Sequence, residues 1–313
     1  MLSRVAESLY WMSRYIERAE NIARIIDVNN NLMLDFETEI QNQQWQPLVV
    51  TSGDEEDFEE RYTEYNEANV INFLTFDEKN SNSIYSCIAS ARFNARTVRE
   101  NISPEMFNEI NNLYHYLNVS REIPPQASAL KNVYETLIRF SHLYIGLVER
   151  TLLQDEGFNF IKLGRLLERA DKITRILDVK YFILLPSVGY VNTPLDDIQW
   201  TALLKSASAF EPYRKKYHRI EYDNIINFLI LEEKFPRSVR YCTRRVEDFL
   251  RILDQTGGSL SYLKIKALNK ELNAITVKEI KHYGLHEYLD LIQQKVNEIG
   301  EAVYKDFFFL SFA

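Results

Sequence analysis

Arg14, Glu17, Arg18, Glu20 and Arg24 follow one another at helical spacings in a stretch with no Gly or Pro. On a helix, Arg14, Glu17, Arg18, Asn21 and Arg24 fall within an arc of roughly 120°. Guanidiniums and carboxylates placed together like this can do three things. They can lace a solvated helix face, where each i,i+4 pair adds a few tenths of a kcal/mol. They can form partly buried bidentate pairs with another element, which fix geometry more than they add stability. They can also grip an anion, with the glutamates orienting the arginines around a ligand carboxylate or phosphate.

The same constellation returns 151 residues later as Arg165, Glu168, Arg169, Asp171 and Arg175. Between Arg14–Val28 and Arg165–Val179, nine of fifteen paired positions are identical. Further on, the match resumes at an offset of 155: Trp45 with Trp200, Tyr62 with Tyr217, Asn69–Leu74 with Asn224–Leu229, and Cys87 with Cys242. The change of offset is a four-residue insertion after the first helix of the second copy, where a loop tolerates it. A period this long is too long for a solenoid and reads as a duplicated domain. The expected halves are residues 1–155 and 156–313, packed as one compact unit about a pseudo-two-fold axis. In that arrangement Glu17 would meet Arg169, and Glu168 would meet Arg18. Arg14, Glu17, Arg18, Arg24, Arg165, Glu168, Arg169 and Arg175 are therefore the candidates for anion binding or for pairing between the repeats.

The elements that must hold them are helices. Leu2, Val5, Leu9, Met12, Ile16, Ala19, Ala23 and Ile26 recur at spacings of three and four and mark one face of a long helix. Ser83 to Ile102 repeats the pattern with Cys87 inward and Arg92, Arg96 and Arg99 outward. Pro104 opens a helix at its first turn. After Pro124-Pro125 a long helix runs to about Leu153, with Gly157 as its C-cap. Phe307 to Leu310 is an apolar tail expected to dock on the bundle. Nine Gly and eight Pro in 313 residues are too few for an all-β chain. The expected fold is all-α: a duplicated helical bundle of about ten helices in two pseudo-symmetric halves.

Several functions are excluded on composition. A net charge of -8 disfavours nucleic-acid binding, because phosphate contacts need a basic surface. Two cysteines make no disulfide framework, and a reducing cytoplasm is the expected location. No apolar run approaches the length of a membrane span. One Glu-x-x-His occurs, Glu279 to His282, but a di-iron bundle needs two with two further glutamates, so no metal is expected. There is no Gly-rich phosphate loop and no nucleophile motif, hence no cofactor and no catalytic residue. The acidic run Asp54 to Glu60 stands opposite a basic one, Arg214-Lys215-Lys216 with Arg219, at equivalent positions of the two copies. Each run alone reads as a solvated surface.

The opening Leu9-Tyr10-Trp11-Met12-Ser13-Arg14-Tyr15-Ile16-Glu17-Arg18-Ala19-Glu20-Asn21 closely resembles the start of the alpha-E family, and Ser83–Cys87, Ala91–Glu100, Leu163–Val179, Trp200–Tyr213 and Phe235–Val239 are similar to it too. That family is bacterial, all-helical, named for its Glu-Arg motif and typically duplicated in tandem. Its members are encoded beside ATP-grasp ligases, transglutaminase-like proteases and proteasome-like hydrolases. The resemblance implies a non-catalytic binding or scaffold component of a peptide synthesis or modification system, with those proteins as partners. The competing expectation is an enzyme or enzyme subunit whose paired Glu-Arg motifs bind a carboxylate or phosphate substrate.

Overall fold

The computed structural model describes residues 1–33, 45–183, 194–254 and 256–309. Among them every regular element is helical, as the periodicity requires. The first seven are α1 (Ser3–Met33), α2 (Gln46–Ser52), α3 (Glu55–Glu59), α4 (Glu67–Thr75), α5 (Ile84–Thr97), α6 (Pro104–Ser120) and α7 (Lys131–Thr151). Then come α8 (Glu156–Ile183), α9 (Pro194–Ser206), α10 (Phe210–Tyr217), α11 (Tyr222–Ile226), α12 (Val239–Leu253), α13 (Leu260–Ala274), α14 (Val277–Tyr283) and α15 (Leu285–Val303). Asn227–Leu231 and Tyr304–Phe308 are π-helical turns.

The described residues thus hold fifteen α-helices, not about ten. The surplus lies mainly in pieces of five to eight residues, such as α2, α3, α10 and α11. Two turns or fewer show no repeating apolar stripe, and such pieces depend on tertiary packing rather than on propensity. The acidic run illustrates this. It forms α3, anchored by one buried ring, Phe58, which stacks on Tyr62 and Tyr65 and meets Phe73 edge-on.

The chain separates into two compact units. The N-terminal unit is Trp11–Gln154; the C-terminal unit is Asp155–Ala313 together with Met1–Tyr10. Helix α1 therefore contributes its first turns to one unit and the remainder to the other.

In the N-terminal unit, α1 buries Met12, Ile16, Ala19, Ala23 and Ile26, the stripe read from the sequence. Helix α5 packs on α6, and α6 on α7. Ser103 caps α6, accepting from the Met106 amide, with Pro104 at the first helical position. In the C-terminal unit, α12 and α15 both pack on α8, and α13 packs on both of them. Gly164 makes the α1–α8 crossing possible: a Cβ there would lie 2.3 Å from the Tyr10 carbonyl oxygen. The C-terminal Phe308 is buried against Tyr10 and Phe160, but Phe309 is exposed, and Leu310 lies outside the described residues.

One further expectation shifts. Gly157 does not cap α7, which ends at Thr151 with Leu152 extended; it is the second residue of α8. The four-residue insertion expected from the change of offset falls on residues 184–193, which lie outside the described ones. Cys87 and Cys242 are buried thiols, each on the first turn of a helix capped by serine: Ser83 for α5 and Ser238 for α12.

Candidate functional site

Each unit carries its Glu-Arg segment on its longest helix. In the N-terminal unit the Arg14 guanidinium lies 4.9 Å over Trp11, and the Arg18 guanidinium 5.8 Å over Tyr15. Arg18 donates to Asn82 Oδ1, and Asn82 Nδ2 donates in turn to Asp54 Oδ1 at 2.6 Å. Asn82 stands in the turn before α5 and is itself fixed, since its backbone N–H donates to Asn80 Oδ1 at 2.8 Å. The chain Arg18–Asn82–Asp54 sends the arginine's positive charge through a neutral amide to a carboxylate. Glu17 is buried, and Asn21 Nδ2 donates to its carbonyl oxygen at 2.7 Å. Glu20, fully buried, accepts from Arg24 Nε at 2.7 Å, the acid-first i,i+4 pair expected. Arg24 Nη2 donates to His142 Nε2 at 3.0 Å, which places the imidazole proton on Nδ1.

In the C-terminal unit the same helix face is more charged and deeper. Arg165, Glu168, Arg169, Asp171 and Lys172 are all buried, Glu168 completely. Arg169 Nη1 donates to the Pro236 carbonyl oxygen at 3.3 Å, in the turn before α12. The next residue, Arg237, is buried too. Arg175 Nε donates to Asp171 Oδ2 at 3.0 Å, again acid-first, and Lys172 Nζ stands 3.7 Å from the same oxygen. A solvated face is thus the wrong description of either segment. Arg24 and Arg175 sit at the rim, and the carboxylates lie inside.

One turn further along, each segment carries an aspartate whose carboxyl is held above its ordinary value, chiefly by burial. Asp178 Oδ1 accepts from His286 Nδ1 at 2.8 Å, and that bond opposes the rise. Asp27 has Lys131 opposing the rise and Glu135 adding to it, and its buried Oδ1 has no hydrogen bond.

A family model matches residues 1–308, and it describes a predicted alpha-helical domain with a conserved ER motif. The chain belongs to the Alpha-E family. Two curated proteins are similar to this Alpha-E chain: an uncharacterised protein of Mycobacterium bovis and one of Mycobacterium tuberculosis. Each is 23% identical over 276 residues, covering 82% of this chain but 30% of the relative. The chain thus spans less than a third of the length of the relatives it matches. No solved structure matches it.

The Alpha-E motif residues were legible from sequence, but the residues that hold them were not. Asn82, Asp54 and Pro236 come from turns far along the chain. The one available signal was their place in the second match, where Asn82 aligns with Arg237 at the offset of 155. Glu279, half of the lone Glu-x-x-His, is engaged in a capping box with Thr276, where its carboxylate accepts from the Thr276 amide at 2.8 Å. Among the described residues no group of three or more His, Cys, Asp or Glu is placed to hold a metal ion. No described helix is long and apolar enough to cross a membrane.

Proposed function

We propose that this Alpha-E chain is a non-catalytic binding or scaffold component of a bacterial, cytoplasmic peptide synthesis or modification system. Its partners would be an ATP-grasp ligase, a transglutaminase-like protease or a proteasome-like hydrolase, as the resemblance implies. We further propose that the chain is a tandem duplication, 1–155 and 156–313, whose Glu-Arg segments hold a fixed charge lattice. The observation that carries the reading is the burial of Glu17, Glu20, Glu168 and Asp171 beside arginine-rich helix faces. A general base needs access to substrate, whereas a buried carboxylate with cations around it defines geometry.

The duplication is supported by repeated small contacts. Asn72 Nδ2 donates to the Tyr62 hydroxyl at 2.9 Å, and Asn227 Nδ2 to the Tyr217 hydroxyl at 2.8 Å. Gly53 and Ser208, aligned at the offset of 155, both take positive φ just after a helix, α2 and α9. Within the duplication, the proposed pairs are Glu17 with Arg169 and Glu168 with Arg18.

Pull-down of the neighbouring ligase by the wild-type chain, Arg18→Ala and Arg169→Ala tests the function. Loss of capture with unchanged circular dichroism and Tm supports a binding role for the motif. Capture by neither wild type nor variants sinks the scaffold reading. A double-mutant cycle on Glu17 and Arg169 tests the pairing, with a coupling energy of about 1 kcal/mol or more expected and zero overturning it.

A further inference from the structure

Away from both Glu-Arg segments, the N-terminal unit holds a cleft of about 380 Å³ lined by Asn72, Phe76, Asp77, Glu78, Lys79, Arg121, Ile123 and Pro125. We propose that it binds a small carboxylate carrying an apolar side chain, of the size of an acylated amino acid. The argument goes beyond the scaffold role and does not depend on it.

The cleft is built in advance. Its floor is Phe76, at the C-terminus of α4. Ile123 and Pro125, on the loop between α6 and α7, also line the cleft. That loop is tied to the first turn of α4, because the Ala127 amide donates to Glu67 Oε1 at 2.9 Å. The apolar part therefore has a fixed shape, which limits the ordering cost of binding.

The polar rim selects charge. Asp77 is already engaged: Arg61 Nη1 donates to its Oδ2 at 3.1 Å, the Tyr62 hydroxyl at 3.2 Å, and the Lys79 amide to its Oδ1 at 2.9 Å. Glu78 Oε1 accepts from Arg121 Nη2 at 2.5 Å and so holds the guanidinium, which also lies 4.7 Å over Tyr85. Among the lining residues two cations, Lys79 and Arg121, stand beside two carboxylates, Asp77 and Glu78, and both carboxylates are already engaged, Asp77 by Arg61 and Glu78 by Arg121. Arg121 and the exposed Lys79 present N–H donors at the mouth, where a ligand carboxylate can take them. Asn72, held by its bond to Tyr62, offers its amide oxygen to a ligand N–H.

The C-terminal unit shows which of these features belong to the turn alone. There the Lys234 amide donates to Glu232 Oε1 at 3.0 Å, the same turn bond. Glu232 pairs with Lys216, and Glu233 takes Arg240 Nη2 at 2.6 Å. Arg240 also donates to Asn273 Oδ1 at 2.9 Å and so is spent on structure. Tyr85 occupies the position that aligns with Arg240. The rim arginine of the N-terminal unit comes instead from the end of α6 and leans over the cleft.

The test titrates the full chain with N-acetyl-leucine and, separately, with the uncharged N-acetyl-leucinamide, following amide chemical shifts. N-acetyl-leucine is expected to saturate in the millimolar range and to shift Asn72, Lys79 and Ile123, with the amide at least about tenfold weaker. Lys79→Ala, on an exposed side chain that does not bear on folding, and Arg121→Gln should each weaken binding about tenfold. Lys234→Ala in the other unit should leave it unchanged. Equal binding of acid and amide overturns the proposal, as does no saturable shift with either probe or undiminished affinity in Lys79→Ala.

Discussion

The two Glu-Arg segments share a backbone plan and differ in how they settle their charge. In the N-terminal unit the neighbours are neutral: Asn21 on the helix, and Asn82 relaying Arg18 to Asp54. In the C-terminal unit the aligned positions are Lys172, Arg237 and Ala209. There the relay and its terminal carboxylate are gone, and a backbone carbonyl, that of Pro236, receives Arg169 instead. The buried ionic groups of that unit are Arg165, Arg169, Lys172 and Arg237 against Glu168, Asp171 and Asp196, four cations to three carboxylates among the described residues. Two similar Glu-Arg segments can therefore keep the same i,i+4 ion pair while one leans on amides and the other on charge.

The largest effect expected from this difference is at Glu168. Glu168→Ala should cost about 3–5 kcal/mol, because it leaves buried cations on its own helix face without that carboxylate. Glu17→Ala should cost clearly less, since its face carries Asn21 where the other carries Lys172. Equal losses in urea unfolding would erase the distinction.

Next comes the pair Gly164 and Ser13, aligned at the offset of 151. Gly164→Ala forces a methyl against the Tyr10 carbonyl and should cost about 1–3 kcal/mol. Ser13→Ala deletes a buried hydroxyl with no hydrogen bond and should change stability by less than about 0.5 kcal/mol. A neutral Gly164→Ala would show that the two helices have room to separate.

The aspartates separate the segments by pH. Their raised values mean that the folded state holds protons more tightly than the unfolded one, near the ordinary 3.8. The stability so contributed is full below that ordinary value and is lost as pH rises through the raised folded one. Asp27→Asn should therefore raise Tm at neutral pH by about 1–3 °C, with the gain vanishing as pH falls toward 3.8. Asp178→Asn should gain less, because it also gives up the His286 bond. A gain that persists at pH 3 would assign the effect elsewhere.

The smallest effect is a baseline for Gly164. Gly146, inside α7, has nothing within 4 Å of an added Cβ, so Gly146→Ala should stabilise by about 0.5–1 kcal/mol. A destabilising result would mean that helix propensity is not what separates the two glycines.

Much of the fold was legible because long helices carry their own periodicity. The α1 stripe, the Pro104 start and the buried cysteines all follow from local pattern. The depth of the Glu-Arg faces did not, since a helical wheel shows which residues share a face but not what covers it. Arg18 and Glu17 look alike on that wheel, and only their distant partners tell a half-buried guanidinium from a buried carboxylate. Asp178 and His286 lie 108 residues apart, with no motif joining them.

Helix α1 serves both units, its residues up to Tyr10 counting with α8 and its remainder with α5 to α7. In synthesis order, then, the N-terminal unit can condense as soon as Gln154 has emerged, while Met1–Tyr10 must wait for the last helices before it finds Gly164 and Phe308. The C-terminal unit takes in a segment made long before the rest of it, so its packing couples Met1–Tyr10 to residues from Asp155 onward.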